Sequence, residues 1–336
     1  MSSQNLRPAA GANDPEWDGS SPGHYEVWYL TMSDPASRRG CWFRYTLEVP
    51  AADRAEEPVA ELWGFAFAPG EPARGGKVTR PLEWPPKGIM HVGDALLEEG
   101  HAVGDLPDVG LSWDVEWEPS ATAMWHIPGK VGRSKVPSTR VVSPTVDASF
   151  RGRVRVGDEE IELTDARGCQ THLWGRQHAA RWAWGHCSAF AADDGSVRDD
   201  VLVEAVTAVP LLRPDRPAPA GFTMLYAEVA GEVLAANAFP WVVRAKSRIS
   251  GHRWEIRGRT RSARLRVVLE ANPSEMAQVT YEDPDGSHAY CINSEIARGA
   301  LEVERGDGRV ERFTSEGLAH VEFGARQPHD GVSTLC

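Results

Sequence analysis

The sequence is short of cysteine, of long apolar runs and of basic charge, and each shortage removes a class of protein. Only five cysteines occur in 336 residues, at Cys41, Cys169, Cys187, Cys291 and Cys336. The number is odd and no Cys-x-x-Cys pair is present, which argues against a disulfide framework and a zinc knuckle. No apolar run is long enough to span a bilayer as a helix. The opening MSSQNLRPAAGANDPEWDGSS has no apolar stretch and does not read as a signal peptide, so a cytoplasmic protein is the default expectation. The formal charge of -12 has the wrong sign for a nucleic-acid backbone or an anionic membrane surface, so neither is expected as a partner. Also missing are the G-x-S-x-G elbow, the phosphate-binding loop, the G-x-G-x-x-G turn and His-Glu-x-x-His, and no cofactor is expected. His172, His178 and His186 are spaced by six and eight, which fits no standard metal motif. Finally, no stretch carries sustained helical periodicity with caps.

What the chain has is tryptophan, 13 residues against 9 Phe and 6 Tyr. The densest stretch is Gly168–Phe190. In its second half Trp182, Trp184, His186, Ser188 and Phe190 alternate with Ala183, Gly185, Cys187 and Ala189. A period of two is a strand with one bulky and one small face, whereas a helix would scatter the two indoles. Upstream, Gln170, His172 and Trp174 share a parity, and Gly175 allows a turn that folds this piece back on the Trp strand. Such a wall suits an apolar guest with one polar handle, although large aromatics most often simply fill a core.

Elsewhere the chain repeats this grammar. Residues 1–22 are small and polar and read as a disordered tail. In Tyr25–Leu30, Tyr25, Val27 and Tyr29 oppose Glu26, Trp28 and Leu30. Leu111–Glu118 and Phe150–Val156 are amphipathic strands, while Gly70–Lys87, rich in Gly and Pro, reads as a long loop. Val201–Val206 is an apolar strand carrying Glu204, and Phe222, Met224 and Tyr226 lead another. Arginines on alternate positions between Arg244 and Arg266 read as solvated sheet faces. Tyr281-Glu-Asp-Pro-Asp-Gly is a hairpin turn. Short strands with regular turn signals make the chain all-β, a barrel or a sandwich. No internal repeat is visible.

The candidate chemistry is a set of acids and imidazoles among aromatics: Glu26, Glu204, Glu322, His172 and His186. A buried carboxyl holds its proton and can deliver it, and indole faces stabilise cations. Protonation of an alkene, followed by water capture or ring closure, fits that set.

Tyr25-Glu26-Val27-Trp28-Tyr29, then Thr171-His172-Leu173-Trp174-Gly175 with Trp182-Ala183-Trp184, then Cys291-Ile292-Asn293-Ser294 and Glu322-Phe323-Gly324, resemble the hydroxyneurosporene synthase (carotenoid hydratase) and tocopherol cyclase-like family. The resemblance spans most of the chain on short motifs. It implies two lipocalin-like antiparallel β-barrel domains packed together, here 23–164 and 165–336, with a site near their interface. It implies a hydrophobic small-molecule partner, isoprenoid- or polyketide-like, and hydration or cyclisation without a metal. Where the hydratases carry an Asp before the His, this chain has Thr171, which cannot supply a proton. The expected catalytic residues are therefore Glu26, His172 and Glu204, with Trp28, Trp174, Trp182, Trp184, His186 and Tyr226 around the substrate. The alternative is a non-catalytic lipocalin-like carrier.

Overall fold

The computed structural model describes residues 6–126, 139–213, 216–237 and 240–336. The chain is all-β, with two large antiparallel sheets. Among the described residues the α-helix is limited to the four residues Trp241–Arg244.

Each sheet is built around one long hairpin. In the first, Thr139–Val156 pairs with Glu159–Gly175, and the latter pairs on its other side with His24–Asp34. The order continues through Arg39–Val49, Val59–Phe67 and Arg74–Pro81 on one side. On the other it runs through Leu111–Trp117 and His101–Leu106. The second sheet repeats the plan. His288–Arg305 pairs with Val310–Ala325, which pairs with Arg181–Cys187. Val201–Val209 and Phe222–Val229 extend one side, and Ala263–Glu270 and Arg253–Arg259 the other. In each sheet the first central strand is thus zipped to the last strand. Both long hairpins also slip register midway, at 142–148 and at 294–299, where bulges bend the strands.

Each sheet curls over onto itself. Phe43 stacks on Trp113 at 4.2 Å between ring centroids, although their strands are far apart in the sheet order. Gly64 leaves room for the same Trp113, and Gly185 for Leu269 and Trp254 in the second sheet. Among the described residues the result is three large apolar cores, one inside each curled sheet and a third between them, with two small clusters beside them. Strand alternation supplies both. Along His24–Asp34, Trp28, Leu30 and Met32 enter the first sheet's own core, while Tyr25, Val27 and Tyr29 enter the shared one.

Several expectations need correction. The segment after residue 5 is not a loose tail. Leu6–Pro8 pairs with Thr122–Trp125, and Ala12, Asn13 and Trp17 are buried. Short polar composition hid this, because the anchors lie on the partner strands. The Gly- and Pro-rich stretch contains the strand Arg74–Pro81, whose Gly75 lets it approach Gly64 and Phe65 closely. Residues 165–175 stay with the first sheet, so the passage to the second lies at 176–180. Gly175 does end its strand, but the chain crosses to the other sheet and does not fold back into the same one. By contrast, Leu111–Trp117 and Phe150–Val156 pair directly, and the arginine-rich strands carry cross-strand ion pairs such as Arg266–Glu255 and Arg264–Glu304.

Gly168 marks the tightest approach in the first sheet, since a Cβ there would overlap the Thr31 carbonyl oxygen. Gly168→Ala is expected to lower stability by about 2 kcal/mol or more, as overpacking against backbone does. The check is the urea midpoint and melting temperature; an unchanged midpoint would contradict the close zipper of the two strands.

Candidate functional site

Between the sheets lies a cavity of about 120 Å³. Its first-sheet wall is Tyr25, Val27 and Tyr29, with Trp42 and Arg44 from the adjacent strand and Leu173 from the other. Its second-sheet wall includes Trp182, Trp184, Val206, Phe222, Met224, Tyr281 and Glu322. Register explains the meeting: Trp184 lies directly across from Glu322, and Tyr25, Val27 and Tyr29 are successive same-face residues.

Among the described residues, four side chains lining this largely apolar space carry a carboxyl, imidazole or guanidinium group. The Glu322 carboxylate accepts a hydrogen bond from Trp182 Nε1 at 2.8 Å and a weak one from Cys291 Sγ at 3.7 Å. Burial pushes its carboxyl above the ordinary value, and the Trp182 hydrogen bond and the charge of Arg44 only partly offset this. His178 is stacked between Tyr25 and Tyr281, with centroids at 4.5 and 5.1 Å. Its Nδ1 lies 2.6 Å from Asp283 Oδ1. Burial raises the Asp283 carboxyl, but His178 and Arg326 outweigh it and hold it down at about 2. Asp283 is therefore an acceptor and His178 donates to it from Nδ1, which leaves Nε2 as the ring nitrogen not bound to the carboxylate. His126 also lines the cavity, with Nε2 2.9 Å from Glu204 Oε1. Arg44 is the fourth, set among aromatic rings.

The expected site residues divide. Trp182 and Trp184 line the cavity. Glu204 lies just behind it, where its carboxylate accepts hydrogen bonds from Trp184 Nε1 at 3.1 Å and Ser143 Oγ at 2.8 Å. Burial works to raise Glu204, but His126, His186 and Ser143 prevail and hold it below its ordinary value. Such a group is a held anion and not a proton donor.

Glu26, His172, Trp28 and Trp174 are together, but on the opposite face of the first sheet. Glu26 accepts from His172 Nε2 at 2.8 Å, from His24 Nε2 at 3.0 Å, and from the backbone amides of Glu16 and Trp17. Burial opposes its ionisation, yet the hydrogen bonds from His172 and His24 and the charge on His172 keep it at about 2. The His172 ring also donates from Nδ1 to Ala12 O and stacks on Trp28. This cluster pins the N-terminal segment to the sheet. His186 lies in the contact between sheets, with Nε2 donating to Val146 O and Nδ1 3.2 Å from His320 Nδ1. Tyr226 packs with Met124, Val146 and Leu202 away from the cavity. The three spaced histidines are thus separated, each with a partner of its own.

The sequence reading missed Arg44, His178 and Asp283, and it named Glu322 without choosing it. Parity could have placed Arg44 with Trp42. Nothing in the pattern flags His178, which sits in the crossing segment, or Asp283, in a hairpin turn over 100 residues away. Thr171 lies two residues from Leu173 on the cavity-facing side, opposite Tyr29.

No family model matches the chain. An uncharacterized protein of Mycobacterium tuberculosis, found in two strains, is 29% identical over 318 residues, covering 93% of this chain and 89% of its own length. Among solved structures, an AttH-type protein of Nitrosomonas europaea superposes with a TM-score of 0.52 at 12% identity, covering 93% of this chain and 99% of that one. That likeness shows a shared fold. Kievitone hydratase of Nectria haematococca gives a TM-score of 0.48 at 9% identity over 90% of each chain, which is too slight to carry an argument.

Glu26→Gln is expected to cost about 3 kcal/mol, as removal of one member of a buried ion pair does, while leaving ligand binding in the cavity unchanged. The depressed Glu26 pKa means its contribution is fully present above the ordinary 4.5 and is lost as pH falls towards about 2. Hydrogen exchange at the Glu16 and Trp17 amides should accelerate across that window in the native protein and already at neutral pH in the variant.

Proposed function

We propose that the chain is an enzyme that takes a hydrophobic, unsaturated molecule, isoprenoid- or polyketide-like, into this cavity and protonates it from Glu322, as a hydratase or cyclase. The single observation that carries the reading is a carboxylic acid pushed towards its neutral form by burial and facing an aromatic cavity. Neither Glu26 nor Glu204 fits the donor role, because each is held as an anion by its neighbours.

In the hydration, the alkene π pair takes the Glu322 proton and forms a C–H bond. Positive charge develops on the adjacent carbon, against the faces of Trp182 and Trp184. Water adds its oxygen there and gives one proton to His178 Nε2, which Asp283 orients. Solvent returns that proton to Glu322, so alkene plus water gives alcohol with nothing left over. In a cyclisation a second double bond of the same substrate replaces water, and the cation loses a proton to the same base. The volume matches a guest about the size of one ring, since a cavity of about 150 Å³ holds benzene. A longer substrate would extend past the half-buried rim at Ala179, Pro210 and Phe222.

The alternative is a carrier, supported by the apolar character of the rest of the wall. Screening isoprenoid- and polyketide-like compounds for a mass gain of water or for isomerisation separates the two. With a reacting substrate, Glu322→Gln is expected to cut turnover at least about a hundredfold while binding persists. The native rate should fall as pH rises through the elevated pKa of Glu322, and this limb should vanish in the variant. Normal turnover by Glu322→Gln defeats the mechanism; binding of several compounds with no reaction of any favours the carrier.

A further inference from the structure

We propose that Arg44 anchors a carboxylate, so that the molecule held between the sheets is an unsaturated hydrophobic carboxylic acid bound as its anion. This deepens the ligand reading of the same cavity and rests on it.

Arg44 is only 5% exposed, on the Arg39–Val49 strand. Arginine stays charged even when buried, and a buried charge is normally paired. Two part-buried arginines elsewhere in the chain follow that rule: Arg305 bridges Glu232 and Glu311, and Arg326 meets Asp283. Arg44 does not. Among the described residues no carboxylate lies within 4.0 Å of its guanidinium nitrogens, and its one hydrogen bond runs from Nε to Thr46 Oγ1 at 2.9 Å. Its remaining support comes from rings, with Cζ 4.1 Å from the Tyr281 centroid and 5.2 Å from that of Trp63. Rings lower the cost of a cation but leave the outer N–H groups unused.

The nearby acids do not cancel the charge. Glu61 is taken by Lys77 at 2.8 Å. Glu48 is pushed up to about 8, by burial first and then by the charges of Glu61 and Glu282. Glu322 is raised by burial. The cavity therefore presents one uncompensated cation. A planar guanidinium presenting its N–H edge matches the two oxygens of a carboxylate. A phosphate, with greater charge, calls for more than one cation and more room than about 120 Å³ beside an apolar tail.

The test uses the full chain, isothermal titration calorimetry at pH 7, and matched probes: cinnamate against cinnamyl alcohol, and sorbate against sorbyl alcohol. The native protein should bind each carboxylate at least about tenfold more tightly than its alcohol, the usual advantage of a charge-assisted pair. Arg44→Met should abolish the difference, with the carboxylates losing at least about tenfold more affinity than the alcohols. Arg44→Lys, which keeps the charge and loses the fork, should give an intermediate preference. Alcohols binding as tightly as acids to the native protein, or a carboxylate preference that survives in Arg44→Met, would overturn the anchor and leave the apolar-ligand reading standing. If no acid and no alcohol binds, the ligand reading falls with it. Should Arg44→Met fail to fold, the native comparison and Arg44→Lys still decide. A normal rate for Glu322→Gln would remove the acid catalysis without touching this preference.

Discussion

The constraint that governs this molecule is that its central strands are buried on both faces. Packing two curled sheets against each other leaves little or no solvent side for His24–Asp34 and for the stretches 166–175, 183–187 and 319–324 of the strands beside it and facing it, so every polar side chain there must find a partner inside the protein. Most do. Glu26 collects four donors, and Glu204 is met by His126, Ser143 and Trp184. Glu295, also raised to about 8 chiefly by burial, accepts from Thr31 across the contact between the sheets. Ser33, His320 and His186 form a further chain there. It does not close everywhere: Trp174 Nε1 is buried with no hydrogen-bond partner among the described residues, and on the Arg39–Val49 strand Arg44, which lines the cavity with Glu322, has no carboxylate partner among them.

This double burial also sets what could be read from the sequence. Strands with one wet face announce themselves, and Leu111–Trp117 beside Phe150–Val156 was legible down to which residues face in. The aromatic wall of Trp182 and Trp184 was legible as well, because small residues alternate with them. In the central strands alternation still separates two sets of side chains, but it cannot say which set faces the sheet's own core and which the neighbouring sheet. Tyr25-Glu26-Val27-Trp28-Tyr29 therefore gave the right division and the wrong chemistry: the tyrosines took the cavity, and Glu26 went to the N-terminal segment. Arg44, His178 and Asp283 come together only through tertiary contacts across as many as 239 positions, from Arg44 to Asp283, and no local period encodes that.

The repeated topology clarifies the asymmetry of the site. The strand Glu159–Gly175 closes the first sheet as Val310–Ala325 closes the second, and both send one residue into the shared cavity near their ends, Leu173 and Glu322. Matching folds thus present unlike side chains from equivalent strands. One sheet contributes Trp42, the rings of Tyr25 and Tyr29 and the cation; the other contributes the acid and the indoles of Trp182 and Trp184. Neither sheet alone makes the site: the strand orders repeat, while the positions that face the cavity carry different chemistry in the two halves.

Arg44 and Glu322 are also coupled. The guanidinium is one of the influences drawing the Glu322 carboxyl down, against the burial that raises it. A ligand carboxylate seated on Arg44 would neutralise that pull and add a negative charge of its own. Both changes move Glu322 further towards the protonated form. Water displaced by the ligand adds to the desolvation and acts in the same direction. An acid that ionised on substrate entry would be useless as a donor, whereas under the proposed mechanism binding would load it. A neutral hydrocarbon of the same shape would lack this effect beyond simple desolvation, so on the proposed reading the charge that recognises the substrate would also ready the proton it receives.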